Sequence, residues 1–157
     1  MFAIAESACI ANPPPNKLIL PKLYILHATI QLRLLRYVVA EQSLETANAL
    51  VANLSEDLPG RMRVLASIET AFGKVSLALG DLENARAFNI RAVRLSWLDV
   101  DACPLTYDQI GHVNVCVNAG WFRWKAKEYL DALDILDYAL KAIDGNPKRK
   151  EKPWASL

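Results

Sequence analysis

The sequence predicts an all-α protein, and two observations carry that prediction. Apolar residues recur every three to four positions along most of the chain, and no segment shows the strict alternation of a half-buried strand. Gly73, Ala85 and Ala92 also precede an identical residue by the same 47 positions, as in 120 − 73. Those counterparts are Gly120, Ala132 and Ala139. Self-similarity on this scale is typical of stacked helix pairs.

The first helix pair is predicted between a proline run at 13–15 and a turn at 57–60. Pro21 suits the first turn of a helix, where its missing N–H costs nothing, and the apolar period continues to about residue 40. A second helix, about 43–54, is predicted to begin at Ser43, whose hydroxyl suits the N-cap. The Asp-Leu-Pro-Gly turn then ends this pair.

Two more pairs are predicted beyond that turn. A third helix, about 61–79, ends at Gly80, a residue type that favours the left-handed cap just past a helix. The fourth helix covers about 82–97, and only a tight turn separates the fifth, 106–126, from the sixth, 128–143. The loop after the fourth helix contains Asp99, Asp101, Cys103, Pro104 and Asp108. Short turns make neighbouring helices run in opposite directions, so three hairpins are expected.

Composition limits the classes of partner. The chain has 157 residues, 53% of them hydrophobic, which is enough for one domain with a substantial core. Its formal net charge is +1, from 18 basic and 17 acidic side chains. No global field would therefore attract nucleic acid or an anionic membrane, and neither is an expected partner. A charge-driven partner must meet a local patch.

Cysteine usage and the N-terminal residues indicate the compartment. The three cysteines are an odd number without CxxC spacing, which argues against a disulfide framework and for a reducing environment. The first residues lack the basic start and long apolar run of a secretory signal, so we expect a cytoplasmic or nuclear location. Residues 18–40 are strongly apolar, but Lys22, Arg33 and Arg36 interrupt them, which favours a buried helix over a membrane span.

The segments 71–93 and 118–140 resemble tetratricopeptide repeats. In that family a small residue in the first helix, usually glycine, lets the second helix approach closely, and Gly73 and Gly120 match it. The family's two alanines, seven positions apart in the second helix, are matched by Ala85 with Ala92 and by Ala132 with Ala139. The resemblance implies a right-handed α-solenoid of three antiparallel helix hairpins over residues 17–146.

The first hairpin fits the family pattern less well. Ala47 and Leu54 are seven positions apart, but on this alignment Leu35 occupies the place of the glycine, and Ala47 lies 38 residues before Ala85 (85 − 47). The segment 1–16 resembles the end of a repeat's second helix, so it is expected to be a partial repeat or a cap. Residues 147–157 are expected to form a charged, flexible tail.

Family members bind peptides along the concave face made by their first helices, and the resemblance implies the same surface here. The binding residues expected on it are Arg36, Lys74, Leu77, Asn114, Val117, Trp121, Trp124 and Lys125. The rest of that face would comprise Thr29, Leu32, Val39, Ser67, Thr70 and Ala78. Cations beside tryptophans suit an acidic peptide with an apolar anchor. Alternatively, both tryptophans pack under the long loop as part of the core, and the cations are simply solvated.

Only Lys74 and Asn118 fit the two-carboxylate clamp of chaperone-binding members, so a chaperone C-terminus is not the expected ligand. His112 and Cys116 lie four positions apart, but a zinc site needs three or four ligands, and only His27 and Cys103 remain as candidates. A buried cysteine beside a hydrogen-bonded histidine is the favoured interpretation. The loop aspartates lack the glycine and glutamate of an EF-hand, and no catalytic motif occurs, so we expect neither enzymatic activity nor a cofactor.

The leading hypothesis is a non-enzymatic adaptor or scaffold subunit that binds a peptide or a partner helix. The alternatives are a regulatory or sensor domain of a transcription or signalling regulator, and a structural subunit that serves oligomerisation. Leu133, Leu136 and Leu140 lie on the last helix, where an uncapped repeat would expose an apolar face. We expect this end to pack on another chain, which includes a homo-oligomer, or beneath Trp154.

Overall fold

The computed structural model describes residues 1–102 and 109–143, and all regular structure in these ranges is helical. The all-α prediction is confirmed. The helices are α1 (Phe2–Ala11), α2 (Ile19–Arg33), α3 (Tyr37–Ala52), α4 (Arg61–Ala78), α5 (Leu82–Ala102), α6 (Gln109–Lys125) and α7 (Tyr129–Ile143). None of the helices described is both long and apolar enough to cross a membrane.

The boundary predicted inside the first hairpin is wrong. The first helix does not run to residue 40, because α2 ends at Arg33 and α3 begins at Tyr37. Ser43 is therefore not an N-cap: it lies inside α3, where its Oγ donates to the Val39 carbonyl at 2.8 Å. The chain turns at Leu35, whose φ is 60°. No glycine or proline marks this turn, so the continuous apolar run concealed it.

The three turns within the helix pairs have the same hydrogen bonds. Leu35, Gly80 and Lys127 have φ of 60°, 81° and 65°. The residue after each donates its N–H to the carbonyl five positions back, at 2.9 Å in each case: Arg36 to Gln31, Asp81 to Ser76 and Glu128 to Arg123. This bond closes a Schellman motif, which satisfies carbonyls at the end of a helix. The turns therefore give the register of the repeat.

That register corrects the alignment of the first hairpin. The turns are 45 and 47 residues apart (80 − 35 and 127 − 80). Ala28, not Leu35, lies where Gly73 and Gly120 lie, seven positions before its turn. Five positions after the three turns lie Ala40, Ala85 and Ala132, and twelve positions after them lie Ala47, Ala92 and Ala139. All six alanines are buried. Ala47 thus corresponds to Ala92 rather than to Ala85.

Small residues at these positions bring two helices together. A Cβ added to Gly73 would lie 2.8 Å from Asn89 Nδ2, well inside normal contact distance. Ala28 and Leu44 hold the corresponding positions in the first hairpin and belong to one buried cluster. Each pair packs tightly, α2 with α3, α4 with α5 and α6 with α7. The pairs join through α3 with α4, α5 with α6, and a series of contacts from α2 through α4 to α6.

The N-terminal segment contains one helix, α1, which contacts only α2 among the helices described. Phe2 stacks on the His27 ring with centroids 3.9 Å apart, and Tyr24 donates to Glu6. No residue of α1 is buried.

Helix α5 continues to Ala102, so the predicted end at residue 97 is wrong and Asp99 and Asp101 are helical. Cys103, Pro104, Asp108 and the tail 147–157 with Trp154 lie outside the described residues.

Candidate functional site

An open groove with a volume of about 400 Å³ lies between α2, α4 and α6, the first helices of the three pairs. These three helices contact one another in series, α2 with α4 and α4 with α6. The groove is lined by Ile25, Ala28, Thr29, Leu32, Leu44, Ser67, Thr70, Ala71, Lys74, Val75, Gly111, Asn114, Val115 and Asn118. All of them except Leu44 belong to the three first helices.

The groove contains several hydrogen-bond acceptors. Thr29, Ser67 and Thr70 each donate their hydroxyl to the carbonyl four positions back, at 2.8–2.9 Å. Such a hydroxyl has used its donor and keeps lone pairs for another partner. Asn118 likewise donates its amide to the Asn114 carbonyl at 2.6 Å and keeps its side-chain oxygen. The groove can therefore accept hydrogen bonds from the N–H groups of an extended peptide.

Lys74 is the cation of the groove. Desolvation by the surrounding helices lowers the pKa of its ammonium group, and the positive charge of Arg33 lowers this pKa further. Arg33 is the last residue of α2. Two neighbouring positive charges repel one another, and an anion placed between them stabilises both. This end of the groove therefore favours a carboxylate or another acidic group.

An exposed aromatic stripe on α6 adjoins the groove. Val117, Trp121 and Trp124 follow one another at helical spacing, with exposures of 43%, 46% and 53%. The Lys125 ammonium lies 5.4 Å from the Trp121 ring centroid and 5.1 Å from that of Trp124, within cation–π range. Both tryptophans are about half exposed. The alternative interpretation places them under the long loop, and residues 103–108 of that loop lie outside the described residues.

Most of the predicted site residues belong either to the groove or to the stripe on α6. Lys74 and Asn114 line the groove together with Thr29, Leu32, Ser67 and Thr70. Val117, Trp121, Trp124 and Lys125 form the stripe on α6, and Leu77 is half-buried on α4 at the position that corresponds to Trp124. Thr29, Lys74 and Trp121 also correspond, since each lies six positions before its turn.

The predicted placement of Arg36 on a first helix is wrong. It lies in the α2–α3 turn, at the position of Asp81 and Glu128, and not on a first helix. Val39 is likewise on α3, a second helix. The residue of the first pair that corresponds to Lys125 is Arg33, two positions before its turn. Ala28 was the signal that could have given this register, because it precedes Ala40 by the same interval that separates Gly73 from Ala85.

The His112–Cys116 pair is buried. His112 Nδ1 lies 2.8 Å from Ser96 Oγ, and its Nε2 lies 3.6 Å from Cys116 Sγ. Burial lowers the pKa of His112 to about 4 and raises that of Cys116 to about 12, so both groups are neutral at pH 7. His27 contacts Ser43 and Gln31 instead. Within the described ranges no three His, Cys, Asp or Glu residues converge on a position for a metal ion.

Comparison with family models, with curated proteins and with solved structures found no match to this chain. The groove and the adjoining stripe are thus interpreted from their own geometry. Two features characterise them: three helices supply the groove walls, and cations lie beside both hydrogen-bond acceptors and exposed indoles.

Proposed function

We propose that this chain is a non-enzymatic, tetratricopeptide-like binding module, an adaptor or scaffold subunit that receives a peptide segment of a protein partner. The observation that carries the proposal is the groove of about 400 Å³, to which all three first helices contribute. In the proposed architecture the helix pairs stack with a right-handed superhelical sense, and the groove is the concave face.

The chemistry of the groove suggests the ligand. Lys74 and Arg33 favour an acidic side chain, and the hydroxyl and amide acceptors suit the N–H groups of an extended backbone. Trp121 and Trp124 would hold an apolar anchor, since large exposed aromatics frequently dominate binding energy. The ligand is therefore an extended acidic segment with one apolar side chain. No cofactor takes part in this function.

A labelled peptide library tests the proposal. Its members place Asp and Glu around a central Leu or Phe, and a second library replaces every acid with Lys. Fluorescence anisotropy should detect binding of acidic members only. Lys74→Glu should weaken that binding by about tenfold or more, because it turns the local attraction into repulsion.

The matched control is Lys17→Glu, which reverses an exposed cation outside the groove. It should leave the affinity unchanged. Equal binding of the acidic and basic libraries, or equal loss in the two variants, would mean that overall charge and not the groove is responsible. Trp121→Ala should then separately lower the affinity of members with an apolar anchor.

A further inference from the structure

The surface of the groove repeats from one first helix to the next. Two positions recur, six and ten residues before each turn, and their occupants are Thr29 with Ile25, Lys74 with Thr70, and Trp121 with Val117. The four residues on α2 and α4 line the groove. The two on α6 are 46% and 43% exposed. Trp121 therefore continues the line of positions to which Lys74 belongs.

Neighbouring positions of this line are one helix apart. Helix α2 contacts α4, and α4 contacts α6. The axes of two helices in contact are about 8–10 Å apart. Because Lys74 and Trp121 hold equivalent positions on α4 and α6, their backbones are separated across the groove by about this distance.

The conformation of a bound chain decides which of its side chains can meet two such positions. A β-strand directs every second side chain to one face, so side chains on that face are about 6.6 or 13 Å apart. A polyproline II segment has three residues per turn and rises about 3.1 Å per residue, so residues i and i+3 share a face about 9 Å apart. Of these spacings, only that of polyproline II agrees with the distance between neighbouring helices.

The hydrogen-bond acceptors of the groove favour the same conformation. The side chains of Thr29, Thr70 and Asn118 donate to backbone carbonyls and keep oxygen lone pairs for another donor. A polyproline II backbone makes no internal hydrogen bonds, so its N–H groups can donate to these oxygens. An α-helical ligand uses most of its N–H groups internally and could not do so.

We propose that the groove binds its ligand in the polyproline II conformation, and that the acidic residue and the apolar anchor of the ligand are three positions apart. The carboxylate would lie beside Lys74, and the anchor would pack on Trp121. This inference rests on the proposed function, to which it adds the conformation and the spacing of the ligand.

Peptides of constant composition test the spacing against the full chain. Each fluorescein-labelled peptide contains one Glu and one Leu among alanines and serines, and the two are from one to six positions apart. One set places the acid before the leucine, and a second set places it after. Anisotropy should show the tightest binding at a separation of three in at least one set. Separations of two and four should bind about tenfold more weakly, because only one of the two side chains then meets its partner.

Proline tests the conformation. At a separation of three, either intervening residue is replaced by proline in one peptide and by glycine in its counterpart. Proline fixes φ near the polyproline II value and restricts the residue before it, so less conformational entropy is lost on binding. At least one proline peptide should bind about threefold more tightly than its glycine counterpart. Weaker binding of both proline peptides would overturn the inference.

A variant of the chain tests which side chain sets the spacing. Trp121→Ala should remove the preference for a separation of three. Tyr129→Ala is the matched control, because Tyr129 is an aromatic residue, 55% exposed, that lies on α7 outside the groove. It should leave the preference unchanged. Loss of the preference in both variants would contradict the role of Trp121.

Failure of the inference differs from failure of the proposed function. Acidic peptides that bind equally at every separation, or most tightly at two or four, would overturn the inference and leave the groove as a site for acidic peptides. Binding of no acidic peptide at any separation would contradict the proposed function, and the inference with it.

Discussion

Leu136 lies directly over Gly120, so that a Cβ at position 120 would be 2.8 Å from Leu136 Cγ. The same relationship joins Gly73 to Asn89 in the preceding pair. One side chain of each second helix thus occupies the space that a glycine on the first helix leaves open. This contact sets how closely the two helices of each pair approach one another.

Gly120→Ala should destabilise the protein by about 1–2 kcal/mol, because overpacking outweighs the better helix propensity of alanine. Urea denaturation should show the loss as a lower midpoint with an unchanged slope. Leu136→Ala removes the clashing atoms, so the double variant should be more stable than the sum of the two single changes indicates. Strict additivity would mean that the two residues do not interact.

Leu35→Gly should stabilise the protein. Leu35 has a φ of 60° and is 71% exposed, so glycine removes left-handed strain worth about 1 kcal/mol without removing buried contacts. A gain of that size should raise the melting temperature by about 2–4 °C. Leu34→Gly is the control: Leu34 has a φ of −86°, so glycine there gains nothing and should lower the melting temperature. If Leu35→Gly also lowered it, the turn would not be strained.

Arg123→Ala should cost about 2–3 kcal/mol, somewhat less than the about 3–5 kcal/mol of a fully buried pair, because the acids left behind are partly solvated. The Arg123 side chain is 5% exposed and donates to both Glu128 and Asp131. Arg86 pairs with the same Glu128, but its side chain is 48% exposed. Arg86→Ala should therefore cost less than about 1 kcal/mol. Equal losses in urea denaturation would contradict the distinction between buried and exposed pairs.

The stability of the protein should decrease as the pH falls from 6.5 to 4. Burial lowers the pKa of His112 from 6.5 to about 4, so in this window the unfolded chain binds a proton that the folded chain excludes. This difference in proton binding should lower the free energy of unfolding by about 3 kcal/mol at pH 4, and it should have almost no effect above pH 7. His112→Gln, which cannot titrate, should flatten this part of the stability profile. An unchanged slope in urea denaturation between pH 4 and 6.5 would assign the effect to other groups.

The second and third pairs were predictable from the sequence because glycines mark them. Gly80 predicts one turn, and the match of Gly73 with Gly120 aligns the two first helices. That alignment predicts that Lys74 and Asn114 lie on one face, and both line the groove. The first pair was not predictable in the same way. Its turn is at Leu35, and the close contact between its two helices is at Ala28. Both residues are apolar, like the residues around them, so the sequence does not mark them.

That difference explains the error in the candidate site. Because the turn is concealed, the sequence predicts one helix that continues through Arg36, and the predicted cation of the first pair lies one turn too far along the chain. The influence of Arg33 on the pKa of Lys74 depends on how α2 packs beside α4, which no local pattern encodes. The half exposure of Trp121 and Trp124 is likewise a property of the packed structure, since a tryptophan at helical spacing suits a core equally well.

Thr29, Lys74 and Trp121 occupy one backbone position in three successive first helices, yet they are a hydroxyl, a cation and an indole. A segment lying across these helices meets them in that order when it enters from α2 and in reverse order when it enters from α6. An acidic residue and an apolar anchor can each face a matching side chain in one orientation only. The repeated backbone thus presents a surface with polarity, on which the N-to-C direction of a bound chain would be determined.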